Sequence, residues 1–253
     1  MRVIVTRPAA QAAGWVARLR EAGHDAVALP LIAIHPPADP AAVRAAWHGL
    51  AQRRLAVFVS PNAADRFMAA RPARLDWPAG TLAGSTGPGT TLALREHGVA
   101  PECIVEPAAD APQFDSEALW QRLRERDWRG AQVLVVRGDG GREWLADTLR
   151  THGAAVEMLA AYRRGAPVWS AAEAELLAAA LRRPGEHVWL FSSSEAIDRL
   201  AALAGGGTDW SASRAIATHE RIAARAQRLG LGRVERAAPT LAAVSGCIQS
   251  MAP

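Results

Sequence analysis

Short apolar runs alternate with longer stretches of helical periodicity from one end of the chain to the other. Val3–Thr6, Leu55–Val59, Thr81–Gly84, Cys103–Val105 and Val133–Val136 predict strands, as do His187–Phe191, Arg214–Ala217 and Arg233–Ala237. Ala10–Ala22 sets Trp15, Leu19 and Ala22 on one helical face, and Gly23 ends that helix. Further helices are predicted near Pro40–Arg53, Asn62–Ala70, Gly89–His97, Ser116–Arg126 and Arg142–His152. The rest lie near Ala171–Arg182, Glu195–Leu203, Glu220–Gly230 and Thr240–Met251. Two segments, Ala26–Ile34 and Ala155–Tyr162, are extended and outrun the usual strand of about 5–6 residues. Pro36-Pro37 stops the first. Alternation of this kind makes parallel sheets covered by helices, an α/β fold.

The pattern is written twice, about 130 residues apart. Val-Ile-Val-Thr-Arg at 3–7 returns as Val-Leu-Val-Val-Arg at 133–137. Leu19 and Gly23 return as Leu149 and Gly153, and the run from Phe58 to Phe67 returns from Phe191 to Leu200. Thr86, Gly98 and Pro107 have counterparts at Thr218, Gly230 and Pro239. Solenoid repeats run at roughly 20–50 residues, so this period marks two similar domains. Clefts between domains are where ligands bind. Two arrangements fit. The long extended segments cross between domains as a two-stranded β connector, 34–37 with 161–165; residues 1–33 then join 166–253, and 38–160 form the second domain. Alternatively, two sequential domains meet near residue 130.

Composition narrows the class. The 253 residues suit two domains, and half of them are hydrophobic. No apolar run approaches the ~20 residues of a membrane span. The first residues read as a strand rather than a signal peptide, so a cytoplasmic protein is expected. Cys103 and Cys247 lack metal or redox spacing. The net charge is +4, and every basic side chain apart from the histidines is arginine. The arginines are spread along helices without clustered aromatics, which argues against a nucleic-acid partner. A modest positive field suits an anionic small molecule.

Small polar residues crowd the expected carboxyl ends of the strands: Thr6-Arg-Pro, Ser60-Pro-Asn, Gly84 to Thr91, Arg137-Gly-Asp-Gly-Gly-Arg, Ser192-Ser-Ser and Thr218-His-Glu-Arg. In parallel α/β sheets ligands bind there, and helix N-termini hold carboxylates or phosphates. For any one such turn ordinary N-capping is the better account, and it is the six together that point to a site for a ligand with several anionic groups. The Gly84–Thr91 turn lacks GK[ST], the turn after Arg137 is not GxGxxG, and the Ser193 turn lacks GxSxG. No cofactor or metal is implied. Tyr162, the only tyrosine, closes the second long segment. A phenol is protonated at neutral pH and can serve as a general acid, or it can be a strand aromatic with a satisfied hydroxyl.

The chain resembles the uroporphyrinogen-III synthase family over nearly its whole length. The matching segments are Val5-Thr-Arg-Pro with Gln11, Pro30-Leu-Ile-Ala-Ile, Phe58-Val-Ser-Pro-Asn-Ala and Gly87-Pro-Gly-Thr-Thr. They continue with Arg137-Gly-Asp-Gly-Gly-Arg-Glu, Val156 through Tyr162-Arg-Arg, Phe191-Ser-Ser-Ser-Glu-Ala and His219-Glu-Arg-Ile-Ala. The resemblance implies two parallel-sheet α/β domains with helices on both faces, joined by the two-stranded connector, with the active site in the cleft. It implies a cofactor-independent monomer that closes hydroxymethylbilane, a linear tetrapyrrole with eight carboxylates, into uroporphyrinogen III with loss of water. The last pyrrole ring is inverted through a spiro intermediate. Tyr162 matches the tyrosine that helps expel the hydroxyl of the first ring. Ser60, Thr90 and Ser193 match substrate-binding positions, and Arg7, Arg137 and Arg221 join them as candidate carboxylate contacts. Two residues depart from the family pattern. Val59 replaces a Thr of many members, and Arg221 replaces a Thr of some, exchanging a hydroxyl for a charge. The competing reading is a non-catalytic tetrapyrrole- or anion-binding regulatory module on the same fold. A nucleotide-dependent enzyme would need a phosphate motif that these turns lack.

Overall fold

The computed structural model describes residues 1–251. In chain order the elements are β1 (Arg2–Val5), α1 (Ala9–Glu21), β2 (Ala26–Ala28), β3 (Ala33–His35), α2 (Pro40–His48) and β4 (Leu55–Phe58). Next come α3 (Pro61–Ala69), β5 (Leu82–Ser85), α4 (Pro88–Glu96), β6 (Ile104–Val105), α5 (Ser116–Leu123), β7 (Gln132–Gly138), α6 (Trp144–Thr151) and β8 (Ala155–Gly165). The chain closes with α7 (Ala171–Arg182), β9 (His187–Phe191), α8 (Ser194–Ala204), β10 (Arg214–Ala217), α9 (Glu220–Leu229), β11 (Arg233–Arg236) and α10 (Leu241–Met251). Contacts divide the chain into two compact units, Met1–Ala33 with everything from Gly165 onward, and Ile34–Arg164.

The first unit holds a five-stranded sheet in the order β2-β1-β9-β10-β11, each neighbouring pair parallel. The second holds six strands in the order β3-β8-β7-β4-β5-β6. From β8 to β6 every pair is again parallel. Set against the repeat, β1 corresponds to β7, β2 to β8, and β9, β10 and β11 to β4, β5 and β6. The spatial order is then the same in both sheets, although the chain enters them at different strands.

Apolar residues line both faces of the central strands, as parallel sheets require. In the second unit Ala56, Phe58, Leu134 and Val136 pack against Trp47, Phe67 and Leu94 from α2, α3 and α4. Leu55, Val57, Val133 and Val135 face the other way, against Leu119, Leu123, Leu145 and Leu149 from α5 and α6. In the first unit Val3, Val5, Val188 and Leu190 pack beneath Trp15, Leu19, Val244 and Ile248 of α1 and α10.

The first long segment is not one strand. It is broken into β2 and β3, which belong to different sheets. Pro30 sits between them, where its missing N–H faces the open edge of the sheet. Leu29 and Leu31 on either side still donate to the carbonyls of Val5 and Thr6, at 3.0 and 3.4 Å. The expected helix over Pro40–Arg53 likewise stops at His48, and a 3₁₀ turn over Leu50–Gln52 follows Gly49. The second long segment is a single strand of 11 residues.

Candidate active site

In the second unit the chain runs from β4 outward through β5 and β6, but from β7 outward through β8 on the other side. Helical connections therefore leave β4 and β7 in opposite directions. The crevice outside the carboxyl ends of two such strands is where open α/β sheets bind ligands.

Tyr162 reaches that edge because β8 carries a bulge. Arg137 opposes Ala160, but Gly138 opposes Tyr162, which leaves Ala161 as an extra residue. A bulge re-aims the side chains beyond it. Leu159 and Ala161 alternate inward as expected; after the bulge Tyr162 points inward as well, and all three join one core with Phe58 and Leu134. The side chain is only 4% exposed. Its hydroxyl lies 3.1 Å from Ser60 Oγ. Gly138 makes room for the ring, because a Cβ there would sit 2.9 Å from two of its carbons.

Ser60 follows β4 and caps α3, its Oγ accepting the Ala63 N–H at 3.2 Å. Pro61 fills the first helical position, where no N–H is missed. The turn after β5 lies alongside, since a Cβ on Gly89 would come within 3.3 Å of the Pro61 ring. Thr90, in the first turn of α4, is buried there. The turn is anchored by its neighbour Thr91, whose hydroxyl reaches Ser85 Oγ at 2.9 Å and Glu106 at 2.7 Å.

Arg137 is buried at the end of β7 and spends its guanidinium locally. It donates to Glu143 at 3.1 Å and to the Gly141 carbonyl at 2.8 Å. Arg164 donates to the Gly140 carbonyl at 2.9 Å. These arginines shape the loop over 138–143, with part of its charge already matched.

In the first unit the corresponding strands are β1 and β9. Thr6 ties them together, donating its hydroxyl to the Leu190 carbonyl at 2.8 Å. Arg7 follows, half-buried, with its guanidinium 4.8 Å from the Trp15 ring centre; Arg18 lies 5.0 Å from the same ring. Arg7 donates to Gln11 at 3.5 Å, and its Nε is buried without a partner among the described residues. Burial, reinforced by the like charge of Arg18, pushes the Arg7 pKa down to about 10. Ser193 stands at the N-cap of α8 but makes no side-chain cap bond, unlike Ser60. Arg221 opens α9, and its backbone N–H is taken by Nδ1 of the His219 cap at 3.1 Å.

Within the second unit the fold therefore gathers Tyr162, Ser60 and Arg137 around the β4 and β7 ends, with Thr90 on the adjoining turn. Arg7, Ser193 and Arg221 open or precede helices of the first unit. Gly138, Ser85 and Thr91 lie in the strand-end turns with no individual role legible there, and Glu106 lies outside them; all four act through contacts that no local pattern reveals. Among the described residues there is no group of three His, Cys, Asp or Glu that could hold a metal ion, and no helix long and apolar enough to cross a membrane.

A family model described as uroporphyrinogen-III synthase HemD matches residues 13–245. Uroporphyrinogen-III synthase of Escherichia coli (strain K12) is 31% identical over 175 residues, 68% of this chain and 69% of that protein. The Salmonella typhimurium enzyme of the same name is 29% identical over 238 residues, covering 91% and 92%. Among solved structures, a mutant uroporphyrinogen III synthase from the extremely thermophilic bacterium Thermus thermophilus superposes with a TM-score of 0.59 at 19% identity, covering 99% of this chain and 98% of that one. Uroporphyrinogen-III synthetase from Helicobacter pylori 26695 gives 0.58 at 16% identity over the full length of both. At these identities the structures speak for the fold alone.

Proposed function

The chain belongs to the uroporphyrinogen-III synthase family of tetrapyrrole-biosynthesis enzymes, and we propose that it closes hydroxymethylbilane into uroporphyrinogen III, with loss of one water and inversion of the last pyrrole ring. The observation that carries this reading is the Tyr162 hydroxyl, held 3.1 Å from Ser60 at the switch point of a sheet.

In the proposed reaction Tyr162 gives its proton to the hydroxyl of the first ring. The C–O bond breaks, water leaves, and the lone pair of the pyrrole nitrogen yields an azafulvene cation. The substituted α-carbon of the last ring attacks that cation to give a spiro intermediate. The bond from that carbon to the neighbouring methylene bridge then breaks and re-forms at the free α-carbon of the same ring, which inverts it. The proton lost from the latter carbon as the ring regains aromaticity restores the phenol. A positioned acid contributes about 10²–10⁴-fold. Selecting the inverted closure over the direct one is a matter of positioning, which supplies up to ~7–11 kcal/mol in well-oriented systems.

The eight carboxylates of the bilane would be held at the strand ends. Arg7 has the most to gain from one, because its guanidinium is half-buried with no carboxylate in contact among the described residues. Ser193 and Arg221 at helix N-termini, and Thr90 on the turn alongside Ser60, complete the proposed set, while Ser60, already engaged by Tyr162 and the Ala63 N–H, serves the phenol. Arg137 contributes through the loop it shapes more than through free charge.

The test is to supply freshly made hydroxymethylbilane to the purified, chelator-treated protein and separate the product isomers. Type III isomer above the no-enzyme control is expected. Only the non-inverted isomer, at the spontaneous rate, would sink the cyclisation and favour a binding module.

A further inference from the structure

We propose that Ser60 is a positioning residue for Tyr162, a hydroxyl bridge that fixes the phenol between the N-terminus of α3 and the reacting ring; the inference rests on the cyclisation proposed above. The two oxygens are 3.1 Å apart, and either could donate. Chemistry decides the direction that works. If Tyr162 donated to Ser60, its proton would be committed to the protein and absent from the leaving group. If Ser60 donates, the phenol proton is free to face substrate, and the phenolate left after transfer keeps a donor.

Ser60 is equipped for that direction. Its Oγ already accepts the Ala63 N–H, which uses one of its two lone pairs and leaves its own proton able to turn toward Tyr162. The N-terminus of α3 supplies partial positive charge behind it. Negative charge that develops on the phenol is then shared along two hydrogen bonds into the helix end. Hydrogen bonds to a charging group are the strong ones, and a preorganised donor costs no reorganisation during the reaction.

The ring is also confined from its other side. Gly138 leaves no room beyond a hydrogen, so Tyr162 cannot swing toward β7. The repeat shows the same serine without this task. Val3 opposes Ala26 just as Val133 opposes Val156, which sets Ile32 at the place of Tyr162 in the first unit. There Ser193 makes no cap bond and has no phenol to hold. The bridge is therefore particular to the unit that carries Tyr162.

The test compares Ser60→Gly and Ser60→Thr with the unaltered protein. Glycine is nearly as good an N-cap as serine, so folding is spared while the hydroxyl is removed. Tyr162 is the only tyrosine, so the tyrosine bands in ultraviolet resonance Raman spectra, which respond to phenol hydrogen bonding, belong to it alone. Ser60→Gly is expected to shift those bands in the substrate-free protein. It should also lower kcat by about ten- to a hundredfold, with KM changed no more than a few-fold, and Ser60→Thr should restore both readouts. Unchanged tyrosine bands in Ser60→Gly, or a raised KM with full kcat, would overturn the proposal and leave Ser60 a cap and substrate contact only. If the unaltered protein makes no type III isomer, the cyclisation reading falls, and the Raman comparison still decides whether Ser60 holds the phenol.

Discussion

Gly138 and Tyr162 oppose one another across β7 and β8 so closely that a methyl group on Gly138 would lie 2.9 Å from the tyrosine ring. Gly138→Ala must therefore displace either the ring or the strand. Overpacking of this kind typically costs ~1–3 kcal/mol, and a catalytic group misplaced by about 1 Å loses on the order of 10²-fold in rate. The variant is expected to fold with a lowered Tm and to lose kcat by about that factor. A fully active Gly138→Ala would show that the position of the phenol does not limit the reaction.

Tyr162→Phe removes the proton and keeps the ring. It is expected to lower kcat by roughly 10²–10⁴ with little change in unfolding free energy. Residual product should still be type III wherever enzymatic flux exceeds spontaneous closure. Unchanged kcat would return Tyr162 to a packing role and leave catalysis to conformational control.

Arg7 yields a prediction with a pH signature. Its pKa is lowered in the fold, so the charged form is penalised there relative to the unfolded chain. That penalty is fully present below about pH 10 and is relieved as pH rises through the folded value. Arg7→Met should accordingly raise stability at neutral pH, by about 1–3 kcal/mol, with the advantage shrinking above pH 10 in denaturant melts. The same change should raise KM if Arg7 holds a carboxylate. A destabilised variant would mean that Trp15 stacking outweighs the buried charge.

The two serines of the repeat should behave differently. Ser193 makes no cap bond, so Ser193→Ala is expected to leave Tm nearly unchanged. A hydroxyl that contacts a carboxylate of the substrate is worth about 1.5–3 kcal/mol, so KM should rise roughly ten- to a hundredfold while kcat stays near its original value. A Ser193→Ala protein with wild-type KM would remove this hydroxyl from the binding set.

Most of the elements were legible before any coordinates. Val133–Val136 and His187–Phe191 are apolar on both sides of the alternation, which only strands buried on two faces need, and both are strands. The repeat near 130 residues was legible because the same helix-end glycines and strand-end turns recur in order. The break between β2 and β3 was not: the apolar run Ala26–Ile34 reads as one extended segment, and only the sheets show its two ends in different ladders.

The sequence by itself determined the alternation of strands and helices, the duplication, and the residue types gathered at the strand ends. These follow from local rules: period, capping and turn chemistry act between residues a few positions apart. Only the tertiary structure decided what Tyr162 does with its hydroxyl. Ser60 is 102 residues away in the chain, and the meeting depends on sheet order and on one extra residue at Ala161. It also decided that the guanidinium of Arg137 is largely spent on its own loop, whereas Arg7, which reads identically as a strand-end arginine, is half-buried with no carboxylate in contact among the described residues. Burial and hydrogen-bond partnership are sums over neighbours brought from distant parts of the chain, and no local pattern contains them.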